Sequence, residues 1–480
     1  MLQLRKKIAE NLSSKIGAPS EQIVLILTMF SIIPLSIINY FIKGKYPRLI
    51  YSLVLGILLQ YSIYGIGIIH TFISTISTYL FIQFYGRKKS AFYVLIGTFL
   101  YQSFLHIYRM IYDYGGWSID DPTTIYMMTI CKFSSLAFSY EDGGKDDSEM
   151  KNLHHRTYKV IDKPSLLEIF SFVYFYPTSI IGPSIEYKDF INFIEEKDCY
   201  SHLPYDKLIS NSILYFLFSF VEMGIYAFFS PKIPLIYVGS KEFGNKNLLY
   251  KIAYMYLALI PVRAKYYSGW LTSYTVLIIN GIAFTETKNE KTGEITQSFE
   301  KGCYGSIIYN EFGINPKFKL VEWNKTIHLW LKYNIFTRTI NIDKKPFKNN
   351  FQLASLLTFI GSAIWHGYYP TYYFTFMCLY LYQFGNEPLD RVGFYKYAEK
   401  NIVLNIVMRF LVQLIFDMIG IPFFNLEFGI FIQYLINTNF LIIFMVLAWY
   451  SCIYWVKIPK KDSKKVEEKK VPVSDDKKTN

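Results

Sequence analysis

Two short segments carry the residues best suited to chemistry. WNKTIHLWLKY (323–333) is centred on Asn324, and SAIWHGYYPTYYF (362–374) is centred on His366. His366 lies between an apolar run and an aromatic run, so the sequence places an imidazole at membrane depth. An ionisable residue at that depth is costly unless it has a function or a partner.

A neutral imidazole is suited to general-base chemistry, because its unperturbed pKa lies near neutral pH. The neighbouring Gly367 would leave room for a substrate to approach. The alternative is that His366 is a hydrogen-bonded core residue, which is the more common role of a lone histidine on an apolar face. The residues alone leave both interpretations open.

Composition predicts a polytopic membrane protein. The 480 residues are 52% hydrophobic and 19% aromatic, which is more apolar length than a single soluble domain buries. We expect an all-α protein with about ten or eleven transmembrane helices, some re-entrant or broken. The clearest apolar runs are 23–42, 49–69, 91–107, 208–229, 248–262, 401–421 and 428–456.

The net charge of +13 is spread between the apolar segments, and no nucleic-acid recognition motif accompanies it. We therefore expect no nucleic-acid partner. Residues 316–350 contain eight Lys or Arg and two acidic residues, which predicts a cytosolic loop. A basic rim there suits a phosphate-bearing cofactor. The five cysteines form no zinc or disulfide pattern, and no metal site is predicted.

The two ends of the chain differ from its centre. Residues 1–20 are predicted to form an amphipathic segment on the membrane surface or a frayed terminus, and 21–456 form the membrane domain. Residues 457–480 are Lys-rich and predicted to be a disordered cytosolic tail. Lys477 and Lys478 look like a dilysine retrieval signal, which predicts the endoplasmic reticulum and a cytosolic C-terminus, although chance is a competitor in a lysine-rich tail.

Three further stretches carry weaker signals. His154 and His155 lack nearby metal-ligand partners and are expected to be a solvated pair. Residues 164–193 contain Pro177 inside an apolar run, which predicts either a broken helix walling a substrate pocket or a plain helical hairpin. RAKYYSGW (263–270) places cations and aromatic rings as an interfacial aromatic belt would.

The chain resembles the membrane-bound O-acyltransferase (MBOAT) family, specifically its lysophospholipid acyltransferase branch. The four stretches that carry the resemblance are PSLLEIFSFVYFYPTSIIGPSIEYKDF, RAKYYSGW, WNKTIHLWLKY and SAIWHGYYPTYYF. The resemblance implies the MBOAT fold, in which helices surround a central catalytic chamber. It also implies acyl transfer from acyl-CoA to the free hydroxyl, expected to be sn-2, of a lysophospholipid.

By this resemblance His366 is the general base. Asn324 either orients the imidazole or the acceptor hydroxyl, or stabilises the tetrahedral oxyanion. Transfer is expected to be direct, with no bound cofactor and acyl-CoA as co-substrate. The expected partners are the lysophospholipid and the bilayer, and a homodimer is left open. The candidate substrate-binding residues are Trp323, Thr326, Trp330, Trp365, Gly367, Tyr369, Tyr372 and Tyr187.

Two alternative functions stay open. One is an MBOAT enzyme whose acceptor is a sterol, diacylglycerol or a protein. The other is a lipid transporter or scramblase, which would keep its activity when His366 is altered. His328, four residues after Asn324, is either a second polar contact for the substrate or a structural histidine.

Overall fold

The structure is a computed structural model that describes residues 7–8, 10–14, 20–114, 121–289 and 292–456. Most of the predicted amphipathic segment 1–20 and all of the tail 457–480 lie outside the described residues. The dilysine signal and the boundaries of the three segments therefore stay predictions.

Helices make up nearly all of the regular structure. In chain order they are α1 Ser20–Ile38, α2 Lys45–Tyr64, α3 Ile68–Tyr112, α4 Pro122–Asp142, α5 Leu153–Tyr158, α6 Leu166–Val173, α7 Tyr187–Ile194, α8 Tyr205–Phe229, α9 Lys241–Gly244, α10 Leu248–Asn280 and α11 Ile307–Phe312. They continue with α12 Pro316–Trp323, α13 Lys325–Leu331, α14 Thr337–Ile340, α15 Phe351–His366, α16 Pro370–Arg391, α17 Phe394–Lys400, α18 Ile402–Phe424, α19 Phe428–Asn437, α20 Leu441–Tyr450 and α21 Cys452–Trp455. A π-helical turn covers Lys332–Phe336 between α13 and α14.

Within the described part of the chain, strand structure is limited to one antiparallel hairpin. Its strands are β1 Thr285–Lys288 and β2 Ile295–Ser298, with Thr285 opposite Ser298. The prediction of an all-α polytopic membrane protein is therefore confirmed.

Four helical stretches of the described chain are long and apolar enough to cross a membrane: Ile23–Phe41, Lys45–Tyr112, Tyr205–Phe229 and Ile402–Phe424. A fifth is possible if the pair Phe428–Asn437 and Leu441–Trp455, bent by 75°, counts as one span. The expected ten or eleven crossings stay a prediction. The 68-residue stretch Lys45–Tyr112 is long enough for more than one crossing. Gly86, with φ +55°, breaks its last helix into two parts.

Other long helices are less apolar because they bring polar groups into the bundle. Lys132 on α4 is 2% exposed and donates to the carbonyls of Phe172, at 3.2 Å, and Val173, at 2.8 Å. These carbonyls belong to the end of α6, where the helical hydrogen bonds run out. A lysine of α4 thus satisfies a helix end inside the protein.

The stretch 164–193 is a broken helix, as one of the two hypotheses predicted. Ser165 and Glu168 form a capping box that starts α6, and the chain leaves helical geometry after Val173. A short 3-10 turn and an irregular segment then lead to α7. Lys132 donates hydrogen bonds to two carbonyls at the break. Irregular backbone at membrane depth is tolerated only where the protein provides such partners.

RAKYYSGW belongs to α10 and is mostly buried, with Lys265 exposed, so the expectation of an interfacial belt is wrong for its arginine. Arg263 is 5% exposed. Its Nε and Nη2 donate to the two carboxylate oxygens of Glu311 at 2.8 and 2.9 Å, and its Nη1 pairs with Asp417. This ion cluster joins α10, α11 and α18. Both acidic partners are distant in sequence, so the local pattern could not indicate them.

Replacing Arg263 by methionine should destabilise the protein by about 3–5 kcal/mol, because two carboxylates would lose their buried cation. The measurement is thermal unfolding of the purified protein in detergent. Lys265→Met is the matched control, since it removes a cation of the same helix that forms no ion pair within the described residues. Equal unfolding temperatures for the two variants would contradict the role of the cluster.

Gly56 on α2 allows a close helix contact that another residue would block. A Cβ at this position would lie 1.6 Å from the carbonyl oxygen of Tyr174. Gly56→Ala should therefore cost about 1–3 kcal/mol through overpacking. Gly224→Ala on α8 is the control because its Cβ meets no atom within 4 Å, and it should leave the unfolding temperature unchanged or raise it. A stable Gly56→Ala protein would show that the backbones are not in close contact.

Candidate active site

A cavity of about 1780 Å³ lies between α3, α10, α12, α13, α15, α16 and α18. Sites for single small ligands are usually about 300–1,000 Å³, so this cavity has room for the reacting parts of two substrates. Asn324 and His366 both line it. The fold thus brings the two predicted catalytic residues to one chamber from separate helices.

His366 is the last residue of α15, and its half-buried side chain lines the cavity. Its ring is bordered by the rings of Trp365, Phe376 and Phe423, with centroids 4.7, 5.3 and 4.9 Å away. Neither ring nitrogen forms a hydrogen bond with another described residue. The interpretation of His366 as a hydrogen-bonded core histidine is therefore not supported, and the imidazole is available to a molecule in the cavity.

Glycine is needed at position 367 because of its backbone conformation, not because a substrate needs the space. Its φ of +129° and ψ of −165° are favourable only for glycine. A Cβ there would lie 3.3 Å from Nδ1 of His106. The expectation that Gly367 leaves room for a substrate is wrong, because the His106 ring occupies that side. Pro370 then begins α16.

Asn324 lies at the junction of α12 and α13 and is the N-cap of α13. Its Oδ1 accepts from the backbone N–H of Ile327 at 3.4 Å and from the hydroxyl of Thr326 at 3.2 Å. Its Nδ2 donates to no other described residue. The oxygen is therefore engaged in the fold, and the N–H groups are the part of the amide free to act in the cavity.

Of the candidate substrate-binding residues, Trp323, Trp365 and Tyr372 line the cavity. His328 also lines it, so it is placed for a second polar contact near Asn324, one of the two interpretations of this histidine.

The remaining five candidates are not among the residues that line the cavity. Gly367 faces His106, and Thr326 holds the Asn324 oxygen from a buried position. Trp330 is 3% exposed and donates from Nε1 to the Ser134 hydroxyl at 2.9 Å.

The other two are buried aromatic residues. Tyr369 is 2% exposed, and its ring packs against Tyr114 with centroids 5.2 Å apart. Tyr187 packs against Phe172 and Phe190 with centroids 5.4 and 6.4 Å apart. In a chain this rich in aromatic residues, most rings pack in the core. Residue type alone therefore predicted more substrate-binding residues than line the cavity. From the broken stretch 164–193, only Ile181 reaches the cavity lining, so the hypothesis that this stretch walls a substrate pocket is largely wrong.

Sequence reasoning also missed polar residues of the cavity wall. Arg109, Lys319, Gln413 and Asp417 all line it. Asp417 falls inside the apolar run 401–421, and an intramembrane carboxylate is itself a signal of a function or a buried partner. The signal from Asp417 was present in the sequence, whereas only the fold shows that Lys319 lies at the cavity wall.

The histidine pair of α5 is not solvated, so that expectation is wrong. His154 Nε2 lies 3.3 Å from Glu186 Oε1, and its ring stacks on Tyr333 with centroids 3.7 Å apart. His155 Nε2 lies 3.0 Å from the Tyr333 carbonyl oxygen, and burial lowers the His155 pKa. Burial raises the Glu186 pKa, but hydrogen bonds from His154 and Ser135 outweigh it and leave this pKa lowered. The pair holds the π-helical turn after α13 in place.

Comparison with known proteins gives named relatives. A lysophospholipid acyltransferase of Saccharomyces cerevisiae is 28% identical over 406 residues, which are 81% of this chain and 64% of that protein. Lysophospholipid acyltransferase 6 of Drosophila melanogaster is 28% identical over 341 residues, 68% of this chain and 45% of that protein. Lysophospholipid acyltransferase 2 of Arabidopsis thaliana is 25% identical over 375 residues, 76% and 78% of the two chains. This chain thus spans less than two thirds of the length of the first two.

The family model for membrane-bound O-acyltransferases matches residues 111–421. The matched region begins at the end of α3, reaches into α18 and contains both Asn324 and His366. Because the match covers more than half of the chain, this multi-pass membrane protein belongs to the MBOAT family.

Proposed function

We propose that this protein transfers an acyl chain from acyl-CoA to the free sn-2 hydroxyl of a lysophospholipid. The observation that carries the proposal is the His366 imidazole, which lines the cavity without a hydrogen-bond partner among the described residues, while the Asn324 amide lines the same cavity. The similarity to lysophospholipid acyltransferases from three organisms supports the acceptor class.

His366 acts as the general base. It takes the proton of the acceptor hydroxyl while that oxygen attacks the thioester carbonyl carbon. The resulting tetrahedral intermediate collapses, the C–S bond breaks, and the imidazolium returns its proton to the CoA thiolate. The products are the ester and free CoA, so transfer is direct and no acyl-enzyme forms.

Asn324 stabilises the oxyanion of the tetrahedral intermediate. Its Oδ1 is engaged in capping α13 and in the bond from Thr326, so its Nδ2 is the group left to interact with substrate. A donor of this kind contributes roughly 10²- to 10³-fold in rate in other enzymes. The capping bonds fix the amide, so little reorganisation is needed when negative charge develops.

Two parts of the cavity wall fit the two substrates. Lys317, Lys332 and Arg391 line it and provide cations for the phosphates of CoA. Leu25 and Met29 of α1, together with Met223 of α8, give an apolar side through which a lysolipid can enter from the bilayer. We further propose an endoplasmic reticulum location with a cytosolic C-terminus, so that CoA arrives from the cytosol.

His366→Ala should lower acyl transfer by at least about 10²-fold, because it removes the base. The assay follows labelled oleoyl-CoA into diacyl product in membranes containing the expressed protein and a panel of lysophospholipids. His70→Ala is the matched control: His70 bonds to the Tyr101 hydroxyl at 2.8 Å and is not among the cavity-lining residues. Folded wild-type protein that acylates no lysophospholipid would refute the acceptor class, and full activity of His366→Ala would refute the mechanism.

Asn324→Ser separates the two roles of Asn324. Serine retains an oxygen that can cap α13 and removes the amide N–H groups. The variant should keep the wild-type unfolding temperature and lose roughly 10²-fold or more in kcat, as Asn324→Ala also should. Wild-type kcat for Asn324→Ser would show that Asn324 serves only as a helix cap.

A further inference from the structure

The helix that carries His366 ends inside the protein, and the N–H of Gly367 bonds to the carbonyls of Ala363 and Ile364 but not to that of Trp365. Two side chains of α3 contact this remaining carbonyl of Trp365. Gln102 Nε2 lies 2.5 Å from this oxygen, His106 Nε2 lies 3.1 Å from it, and the two nitrogens lie 2.8 Å apart, so the three groups form one contact. Gln102 and His106 are one turn apart on the same face of α3 and are 1% and 2% exposed.

The contact continues along the turn after His366. The ring of His106 covers Gly367, where a Cβ would lie 3.3 Å from Nδ1. One residue further, the Tyr368 hydroxyl donates to Ser103 Oγ at 2.6 Å. Helix α3 therefore contacts the backbone before His366 and a side chain two residues after it.

The His366 side chain itself has no comparable restraint. Its neighbours in the cavity are aromatic rings, which limit the space around the imidazole but offer no hydrogen bond to fix its nitrogens. The direction of the imidazole thus depends on the backbone from which it extends. Gln102 and His106 are not among the residues lining the cavity, so they are not placed to contact a substrate.

We propose that Gln102 and His106 are positioning residues for His366. By binding the Trp365 carbonyl they fix the end of α15, and this sets the direction in which the imidazole enters the cavity. The inference rests on the proposed general-base role of His366. A displacement of about 1 Å at a reacting group can cost on the order of 10²-fold in rate, so loss of this contact should appear in kcat.

The test compares Gln102→Met, which keeps the length of the side chain and removes its donor, with Thr98→Val. Thr98 lies one turn earlier on α3, is 5% exposed, and bonds within its own helix to the Val94 carbonyl at 2.6 Å. Gln102→Met should lower kcat by about 10- to 100-fold, with both KM values within about twofold of wild type, because the cavity wall is unchanged. Thr98→Val should keep wild-type kcat.

Rescue at His106 gives a second measurement. His106→Gln keeps a side-chain N–H that can reach the Trp365 carbonyl, whereas His106→Leu does not, so the glutamine variant should retain more kcat than the leucine variant. This pair decides the question if Gln102→Met does not accumulate as folded protein. In a His366→Ala background, Gln102→Met should change the residual rate no further, because the residue acts through His366.

The outcomes separate this inference from the proposed function. If wild-type protein acylates no lysophospholipid, the proposed function fails first. If wild type is active while Gln102→Met keeps the kcat of Thr98→Val, or His106→Leu equals His106→Gln, the positioning role is wrong. A loss of unfolding temperature with unchanged kcat would likewise make the contacts purely structural.

Discussion

Helices that end inside an apolar bundle must find hydrogen-bond partners for their last carbonyls, and the rest of this structure depends on how that constraint is met. Lys132 meets it for α6, and Gln102 and His106 meet it for α15. Without water in the surrounding hydrocarbon, each unmet group would cost several kcal/mol. Side chains from neighbouring helices therefore allow the chain to break at membrane depth, and one such break holds His366.

The same constraint explains why a polar reaction can take place there. His366 is embedded among aromatic rings yet forms no hydrogen bond to the described protein, so its ring nitrogens are open to a molecule in the cavity. Only one end of the Asn324 amide is used by the fold: its oxygen caps α13, whereas its N–H groups bond to no other described residue. Arg263, Glu311 and Asp417 join α10, α11 and α18 at the cavity wall. The fold uses most polar groups for structure and leaves a few for chemistry.

The sequence was sufficient for the class of fold, and it singled out Asn324 and His366, which the fold brings to one cavity. The lengths of the apolar runs indicate membrane helices, and the histidine between two such runs raised the hypothesis of a functional site, which the family resemblance then favoured. The sequence was insufficient for contacts between distant elements. Arg263 was predicted to be interfacial because its partners, Glu311 and Asp417, are far from it along the chain. Tyr187 read as a substrate contact because residue type does not distinguish a packed ring from a lining one. Pairings of this kind are set by tertiary packing.

The most direct test of this account is a cryo-electron microscopy structure of the protein in lipid nanodiscs with a non-reactive thioether analogue of acyl-CoA and a lysophospholipid. The account predicts the acceptor hydroxyl within about 3 Å of a His366 ring nitrogen and the acyl carbonyl position facing Asn324 Nδ2. An acceptor hydroxyl bound away from His366, with the acyl group lying elsewhere in the cavity, would contradict it.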